Sequence, residues 1–407
     1  QAHDIIRTWA FYTILRCILL TDKKPFENIM MGGFILSEDG TPMHASLGNV
    51  IDPLEVIKKY GADAFRCYAA SCALGEDNPF RYKDVIRGTR LLNKLWNVEK
   101  FISNNIKKDE PKQPKNIIDI DKWILTKYSK LVKNCTEMME VFDYSQTMKE
   151  IEYFLWHELA DHYLEMIKSS IYKKENLESI NYTLYTIGLG LLKLFAPFFP
   201  HITEEIYQEY YKKTDEQKSI HIEPWPETVL IDEQKEKSGE IVKDYIAQIR
   251  SMKSEQGIAL NAPIEIYATY STKDIISHIK PSETIIKSTL NYPEEHEFIT
   301  GKPEIQEKIT NILPVYSKIG PLFKKQSKEI IKWIEENQKE LIKIFEEEKD
   351  LKWSDIKIKD NKETKDEPLV KNGYLLVKKE STSKEKKDRT IKQFKDFYIE
   401  ISDKYTK

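Results

Sequence analysis

The sequence predicts an α/β segment followed by an all-α bundle and a small mixed α+β C-terminal region. Three observations carry that expectation. The first fifty residues run apolar helix, apolar strand and polar loop, residues 83–226 carry apolar stripes stepped by three, four or seven, and strand-like runs return after residue 260. With 407 residues, 40% of them hydrophobic, the chain can bury large cores. At roughly 150 residues per domain, two to four domains are expected.

Residues 5–20 mix Ile, Trp, Phe, Leu and Tyr with few charges, so a mostly buried helix belonging to a core is expected. Residues 29–36 form a short apolar run stopped by Ser37-Glu38-Asp39-Gly40, which reads as a buried strand leading into a loop. In Asp52-Pro53-Leu54-Glu55, Asp52 can accept the first free amides, Pro53 is preset for the first helical position, and Glu55 stands where a capping box wants it. That helix stops near Gly61, and residues 63–73 resume as a second short one. A long helix from Tyr82 carries Leu92, Leu95, Trp96 and Ile102, followed by a linker over 107–115. Two further stripes, Met148, Ile151, Leu155, Leu159, Met166 and then Leu184, Ile187, Leu191, Leu194, predict the helices of a bundle.

Pro197 and Pro200 end one helix, and Glu204 and Glu205 are then expected in the first turn of the next, where the helix dipole favours anions. Residues 214–240 are polar apart from 220–226 and connect to a third unit, with a helix over 241–254 and a strand over 264–270. A helix from 327 to about 348 and a strand over 373–379 complete it, while 357–367 and 381–389 read as charged, solvated loops.

Charge narrows the function classes. Lys plus Arg total 63 against 66 for Asp plus Glu, so any RNA binding must come from local patches rather than from global attraction. Cys17, Cys67, Cys72 and Cys135 form no CxxC pair, and reduced thiols in a cytoplasmic protein are the simplest reading. No apolar run approaches the roughly 18 residues needed to cross a bilayer, so no membrane partner is expected. The chain opens at Gln1 without a methionine and goes straight into an ordered-looking segment, and it therefore reads as a piece of a longer protein.

His157-Glu158-Leu159-Ala160-Asp161-His162 resembles the HExxH zinc motif, but its histidines are five apart. On an α-helix that directs them about 140° apart, so no protein-bound metal is expected. Walker, GxGxxG and serine-elbow motifs are absent, which removes support for P-loop, dinucleotide and ordinary hydrolase readings.

The most informative stretch is Gly40-Thr41-Pro42-Met43-His44-Ala45-Ser46-Leu47-Gly48-Asn49-Val50-Ile51-Asp52-Pro53. Together with Lys59-Tyr60-Gly61-Ala62-Asp63-Ala64 and Asn93-Lys94-Leu95-Trp96-Asn97, in that order and spacing, it resembles the region following the KMSKS loop of class I aminoacyl-tRNA synthetases. The opening Gln1-Ala2-His3-Asp4-Ile5-Ile6-Arg7-Thr8-Trp9-Ala10-Phe11 is similar to the valyl branch in its archaeal or eukaryote-like form. Phe154-Leu155-Trp156-His157-Glu158 and the run from Ala196 to Glu205 extend the resemblance into an anticodon-binding bundle, and beyond about residue 255 it is weak.

The resemblance implies the end of a Rossmann-like catalytic domain over 1–51, a connecting stem-contact segment over 52–82, a helical anticodon-binding domain over 83–226 and a mixed α+β appendage over 227–407. It implies ATP with Mg2+, valine and tRNA-Val as partners of a monomeric parent enzyme. The HIGH signature, the amino-acid pocket and the editing insertion are not in this chain, so it is not expected to complete the reaction alone. In the family pattern, lysines at the first and fourth KMSKS positions stabilise charge on the leaving pyrophosphate. Here those positions are Pro42 and Ala45, with His44 in place of the serine between them, and neither replacement can donate a charged hydrogen bond. Losing two such donors, at roughly 3 kcal/mol each, would severely impair activation.

Asp4 falls where the family places an acceptor for the ATP ribose, with a capping or surface role as the alternative. Gly32 and Gly33 would admit adenosine to the strand backbone or merely serve packing, while Met43 and Ser46 would order the loop beside His44. For tRNA, Trp156, His157, Tyr163 and Lys168 are the candidates for stacking and edge contacts. Arg250 and Lys253, with Lys243, line a helix that could meet phosphates. Three readings remain: part of a valine-specific ligase with a degraded loop, a synthetase-derived, non-catalytic tRNA-binding protein, or part of a ligase of isoleucyl or leucyl specificity, which the absent pocket would decide.

Overall fold

A computed structural model describes residues 2–106, 111–212, 218–292, 295–323, 327–346, 352, 369–370, 373–383, 389–402 and 404. The chain divides into two compact units, one of residues 1–247 with 282–289 and one of 248–281 with 290–407.

The first unit begins with a 3-10 turn, His3–Ile5, a wide turn, Ile6–Ala10, and helix α1, Phe11–Thr21. The helix is present but the expected burial is not. Only Ala10 is buried, whereas Trp9, Phe11, Tyr12 and Leu20 are exposed. An apolar composition states what a helix is able to bury; here Thr13, Ile14 and Cys17 are partly covered and no residue of the helix is fully buried. The expected strand over 29–36 shrinks to β1, Ile35–Leu36, which pairs in parallel with β2, Asn78–Pro79.

Helix α2, Pro53–Tyr60, starts as its cap requires, with Asp52 accepting from the Leu54 amide at 2.8 Å. It turns at Gly61, whose φ of 91° disfavours other residues, into α3, Ala62–Ser71. Val56, Ala64, Tyr68, Phe80 and Val85 make the small core here, and Met43 and Ile51 pack on it from the loop that precedes α2.

The bundle contains α4, Tyr82–Asn105, α5, Asp119–Glu140, α6, Tyr144–Tyr153, α7, Leu164–Lys173, α8, Leu177–Phe195, and α9, Pro200–Ile206. Between α6 and α7, residues Phe154–Tyr163 keep the helical path but with wide π turns. Every residue of the two stripes expected over 148–194 is buried, beside the fully enclosed Trp123, Phe195 and Phe199. Helix α9 starts earlier than expected, so Glu204 lies outside its first turn and instead accepts from Ser219 Oγ at 2.9 Å and the Ile220 amide at 3.0 Å. Helix α10, Glu233–Glu255, is longer than the segment read over 241–254, and its first turns pack on α5 through a Glu240–Trp123 hydrogen bond and the Lys130–Glu236 and Lys235–Asp119 ion pairs. The polar stretch before 241 thus includes helix joined to the bundle, because its polar groups find partners there.

The second unit is a six-stranded sheet. After β3, Ile266–Ser271, comes helix α11, Lys273–Ile279; α12, Glu283–Leu290, belongs to the first unit up to Thr289, and the second unit resumes with β4, Glu297–Thr300, and β5, Ile305–Pro314. Helices α13, Tyr316–Phe323, α14, Ser327–Glu336, and α15, Gln338–Glu346, lead to β6, Leu375–Ser383, β7, Arg389–Gln393, and β8, Phe397–Ser402. The order is β4-β3-β8-β7-β6-β5, with β3 and β4 parallel and the other pairs antiparallel. The single helix read over 327–348 is two, broken at Asn337, where Gln338 turns its carboxamide onto both the N–H and the carbonyl of Ile312 at 2.9 Å. The first residues of the linker at 107–110, the charged loop at 357–367 and residues 384–388 lie outside the described residues.

Candidate nucleotide loop and RNA-binding face

Asn49 organises the loop between β1 and α2. Its carboxamide oxygen accepts from the His44 amide at 2.8 Å, and its nitrogen donates to the Pro42 carbonyl at 3.1 Å and to Thr41 Oγ1 and Ser37 Oγ, both at 3.3 Å. Asp39 closes the other end, accepting from Ser37 Oγ at 2.7 Å and Thr41 Oγ1 at 2.8 Å; these bonds hold its carboxyl below the usual carboxylate range. Pro42 bridges Leu36 in antiparallel fashion, a 3-10 turn covers Ala45–Leu47, and Gly48 leaves the turn at a φ of 65°. Met43 points into the small core, while Pro42, His44, Ala45 and Ser46 stand exposed. The loop is therefore a tied platform with its tip in solvent. Asn49, Ser37 and Asp39 were missed as its organisers because their partners are set by the folded turn, although the Asp-Gly step at 39–40 was a local signal.

A parallel bridge between Ala2 and Gly32 puts the Asp4 turn beside the glycine pair, with the His3 and Phe34 rings edge to face at 4.8 Å. Asp4 is exposed. A methyl group on Gly33 would overlap the carbonyl of Glu76, so that glycine is required by a crossing backbone. The direction that a side chain at Gly33 would take is filled by the chain itself. Asp77 fixes the crossing by accepting from the Phe34 amide at 2.7 Å.

Helix α3 is clamped to the α8–α9 corner. Asp63, nearly buried, accepts from the amide of Ile202 at 2.8 Å and that of His201 at 3.4 Å, supplying the negative charge at the start of α9 that Glu204 and Glu205 do not. Arg66 donates to the carbonyls of Phe198 at 2.9 Å and Pro197 at 2.8 Å, at the end of α8. No sequence spacing signals contacts across more than 130 positions.

On the bundle surface, Trp156 is half-buried under Lys94, whose ammonium sits 4.4 Å from the ring centroid and 3.4 Å from Asp161 Oδ1. His157, exposed, has Nδ1 at 3.4 Å from Asp161 Oδ2 and its ring 5.0 Å from Tyr153. This makes a contiguous face of three rings with a cation. The expected angle of 140° between residues five apart assumed α geometry, whereas this segment winds with wider turns, the Leu164 amide reaching back five residues to the Leu159 carbonyl.

Of the other residues expected to meet RNA, Tyr163 and Lys253 turn inward. Tyr163 is fully buried and donates to Asp121 at 2.8 Å, so it has no face for a base. Lys253 is fully enclosed in the second unit, its ammonium donating to the carbonyls of Leu260 at 3.2 Å, Ala262 at 2.6 Å and Leu290 at 2.7 Å. It has no N–H left for a phosphate, and burial pushes its pKa down to about 8. Lys243 is drawn between Glu158 and Glu240. Lys168 pairs with Glu165, and Arg250 is half-buried near Lys253. The lines of lysine and arginine in the sequence did not distinguish Lys243 and Lys253 from the more exposed Lys168. Among the described residues no group of acidic, histidine or cysteine side chains is arranged to hold a metal, and no helix is long and apolar enough to cross a membrane.

The class of protein is now defined. Residues 1–81 match the family of tRNA synthetases class I (I, L, M and V), and residues 121–268 match the anticodon-binding domain of tRNA ligase. The Valine--tRNA ligase of Pyrococcus furiosus is 39% identical over 354 residues, 86% of this chain and 40% of the relative. That of Methanocaldococcus jannaschii is 40% identical over 357 residues, 85% of this chain and 40% of the relative. A solved LeuRS–tRNA–LeuAMS ternary complex of Agrobacterium radiobacter K84 overlaps 71% of this chain and 35% of that chain at 17% identity, with a TM-score of 0.44, too loose a match to add to the sequence similarity. The chain belongs to the valine–tRNA ligase family of class I aminoacyl-tRNA synthetases. It spans about 40% of the length of these relatives.

Proposed function

We propose that this chain supplies the tRNA-binding part of a valine–tRNA ligase, and that it contacts the anticodon arm of tRNA-Val through Trp156, His157 and Lys94. The single observation behind this reading is the surface where a lysine, a half-exposed indole and a histidine ring stand together. Stacking planes beside a cation suit unstacked bases and their phosphates. The whole reaction would join valine to ATP, taken with Mg2+, expel pyrophosphate and pass the aminoacyl group to tRNA in the cytoplasm. In that reaction Asp4 and Gly32 would sit at the nucleotide, and the 42–46 loop would approach its phosphates through backbone groups. Without charged donors at Pro42 and Ala45, this chain would contribute little to stabilising the leaving pyrophosphate.

A second reading, a synthetase-derived tRNA-binding protein without catalysis, is favoured by the same loop, which is tied in place yet carries no lysine at its exposed tip. The RNA reading common to both is tested by binding purified chain to a transcript with a valine anticodon and to one with an unrelated anticodon, at two salt concentrations. Preference for the first transcript that survives added salt is expected. Equal, salt-sensitive binding to both would reduce the interaction to nonspecific charge attraction and sink the specificity.

A further inference from the structure

Residues Phe154–Tyr163 make two sets of contacts, each from a pair of side chains five residues apart. Facing inward, Glu158 lies 3.2 Å from Lys127 and 3.5 Å from Lys243, while Tyr163, five residues on, bonds Asp121. Lys127 and Asp121 both belong to α5, so Glu158 and Tyr163 are anchored on one neighbour. Facing outward, Trp156 and Asp161, again five apart, both meet the single ammonium of Lys94. On an α-helix, residues five apart point about 140° away from each other. In a ladder of i to i+5 bonds they come round to nearly the same side. The wide register therefore places the outer cluster and the inner anchors at once.

We propose that Glu158 is a positioning residue: buried between Lys127 and Lys243, it holds the 154–163 segment in its wide register and so sets where Trp156 and His157 stand for RNA. The Lys127–Glu240 contact at 3.0 Å and the Trp123–Glu240 bond at 2.9 Å brace the same network from α10. Wide helical turns are rare and unfavourable on their own, so a buried charged anchor gives this one a reason to persist. The proposal rests on the RNA-binding reading above.

The test is a double-mutant cycle on the full chain, read as affinity for the valine-anticodon transcript at fixed salt. Trp156→Ala removes a stacking plane and is expected to weaken binding about tenfold. Glu158→Gln, which keeps the shape and removes the charge, is expected to weaken it by a similar factor. Because both act through the same ring, the double variant should bind no worse than about tenfold below wild type. A merely structural loss would leave the two effects independent, and a product near a hundredfold overturns the proposal, as does wild-type affinity in Glu158→Gln. If thermal melting shows that Glu158→Gln does not fold, Tyr163→Phe replaces it in the cycle, with the same expected and overturning results. A wild-type chain that binds neither transcript removes the RNA reading itself, and the positioning role with it; binding by wild type with an additive cycle removes only the positioning role.

Discussion

Glu99 and Asp121 have no access to water. Burial pushes Glu99 up to about 7, against a lowering bond from Tyr211 at 2.7 Å, and one of its oxygens finds no partner. Burial likewise pushes Asp121 up to about 6, although Ser179 and Tyr163 donate to it. Both folded-state values lie above the unfolded ones near 4, so the folded protein holds protons that the unfolded chain releases. Their contribution is fully present below about pH 4 and is lost as pH rises, through about 6 for Asp121 and about 7 for Glu99. Glu99→Gln should abolish the upper part of that loss and raise stability at pH 8 by on the order of 3 kcal/mol relative to wild type, with little difference near pH 4. Urea melts of both proteins across pH 4–8 would check it; parallel stability curves would mean that Glu99 is ionised in the fold. Neither carboxyl was legible as buried, since Asp and Glu on a helix ordinarily face water and only the packed neighbours reveal otherwise.

Among the elements, the 42–46 loop separates shape from charge. Asn49, Asp39 and Ser37 fix its course through bonds that do not involve the side chains of Pro42 or Ala45. Lysines placed there would extend from a formed scaffold, although Pro42→Lys also gives up the preset backbone angle. Pro42→Lys with Ala45→Lys is expected to tighten binding of Mg2+-ATP by tenfold or more, at about 1.5 kcal/mol or above per charged contact to phosphate. Isothermal titration of the chain and of the double variant would show this, and unchanged affinity would place the loop away from the triphosphate. The order of elements and the bundle stripes were legible because apolar spacing reports helix period directly. The clamp of Asp63 and Arg66 on the α8–α9 corner was not, and neither was the wide winding of 154–163, because both depend on partners distant in sequence.

For the molecule as a whole, the division into two units assigns Arg250 and Lys253 to the sheet-bearing one and Trp156 and His157 to the bundle. Lys253 joins three carbonyl groups of its own unit, and Lys253→Met would leave all three without that donor. A loss of about 3 kcal/mol or more in the stability of that unit is expected, with affinity for the valine-anticodon transcript unchanged. Hydrogen exchange over 258–270 and a binding isotherm on the same sample would separate the two effects; weakened RNA binding with normal exchange would return Lys253 to the interface.

By itself the sequence determined the fold class, the bundle helices and the family, because periodicity, capping residues and ordered motif strings are local or linear properties of the chain. The tertiary structure decided which cations face outward, which carboxyls lose their water, and that Gly33 yields to a crossing backbone while Trp156 and Asp161 share one lysine. Burial and ion pairing are set by what packs against a residue, and that is specified only when distant segments meet.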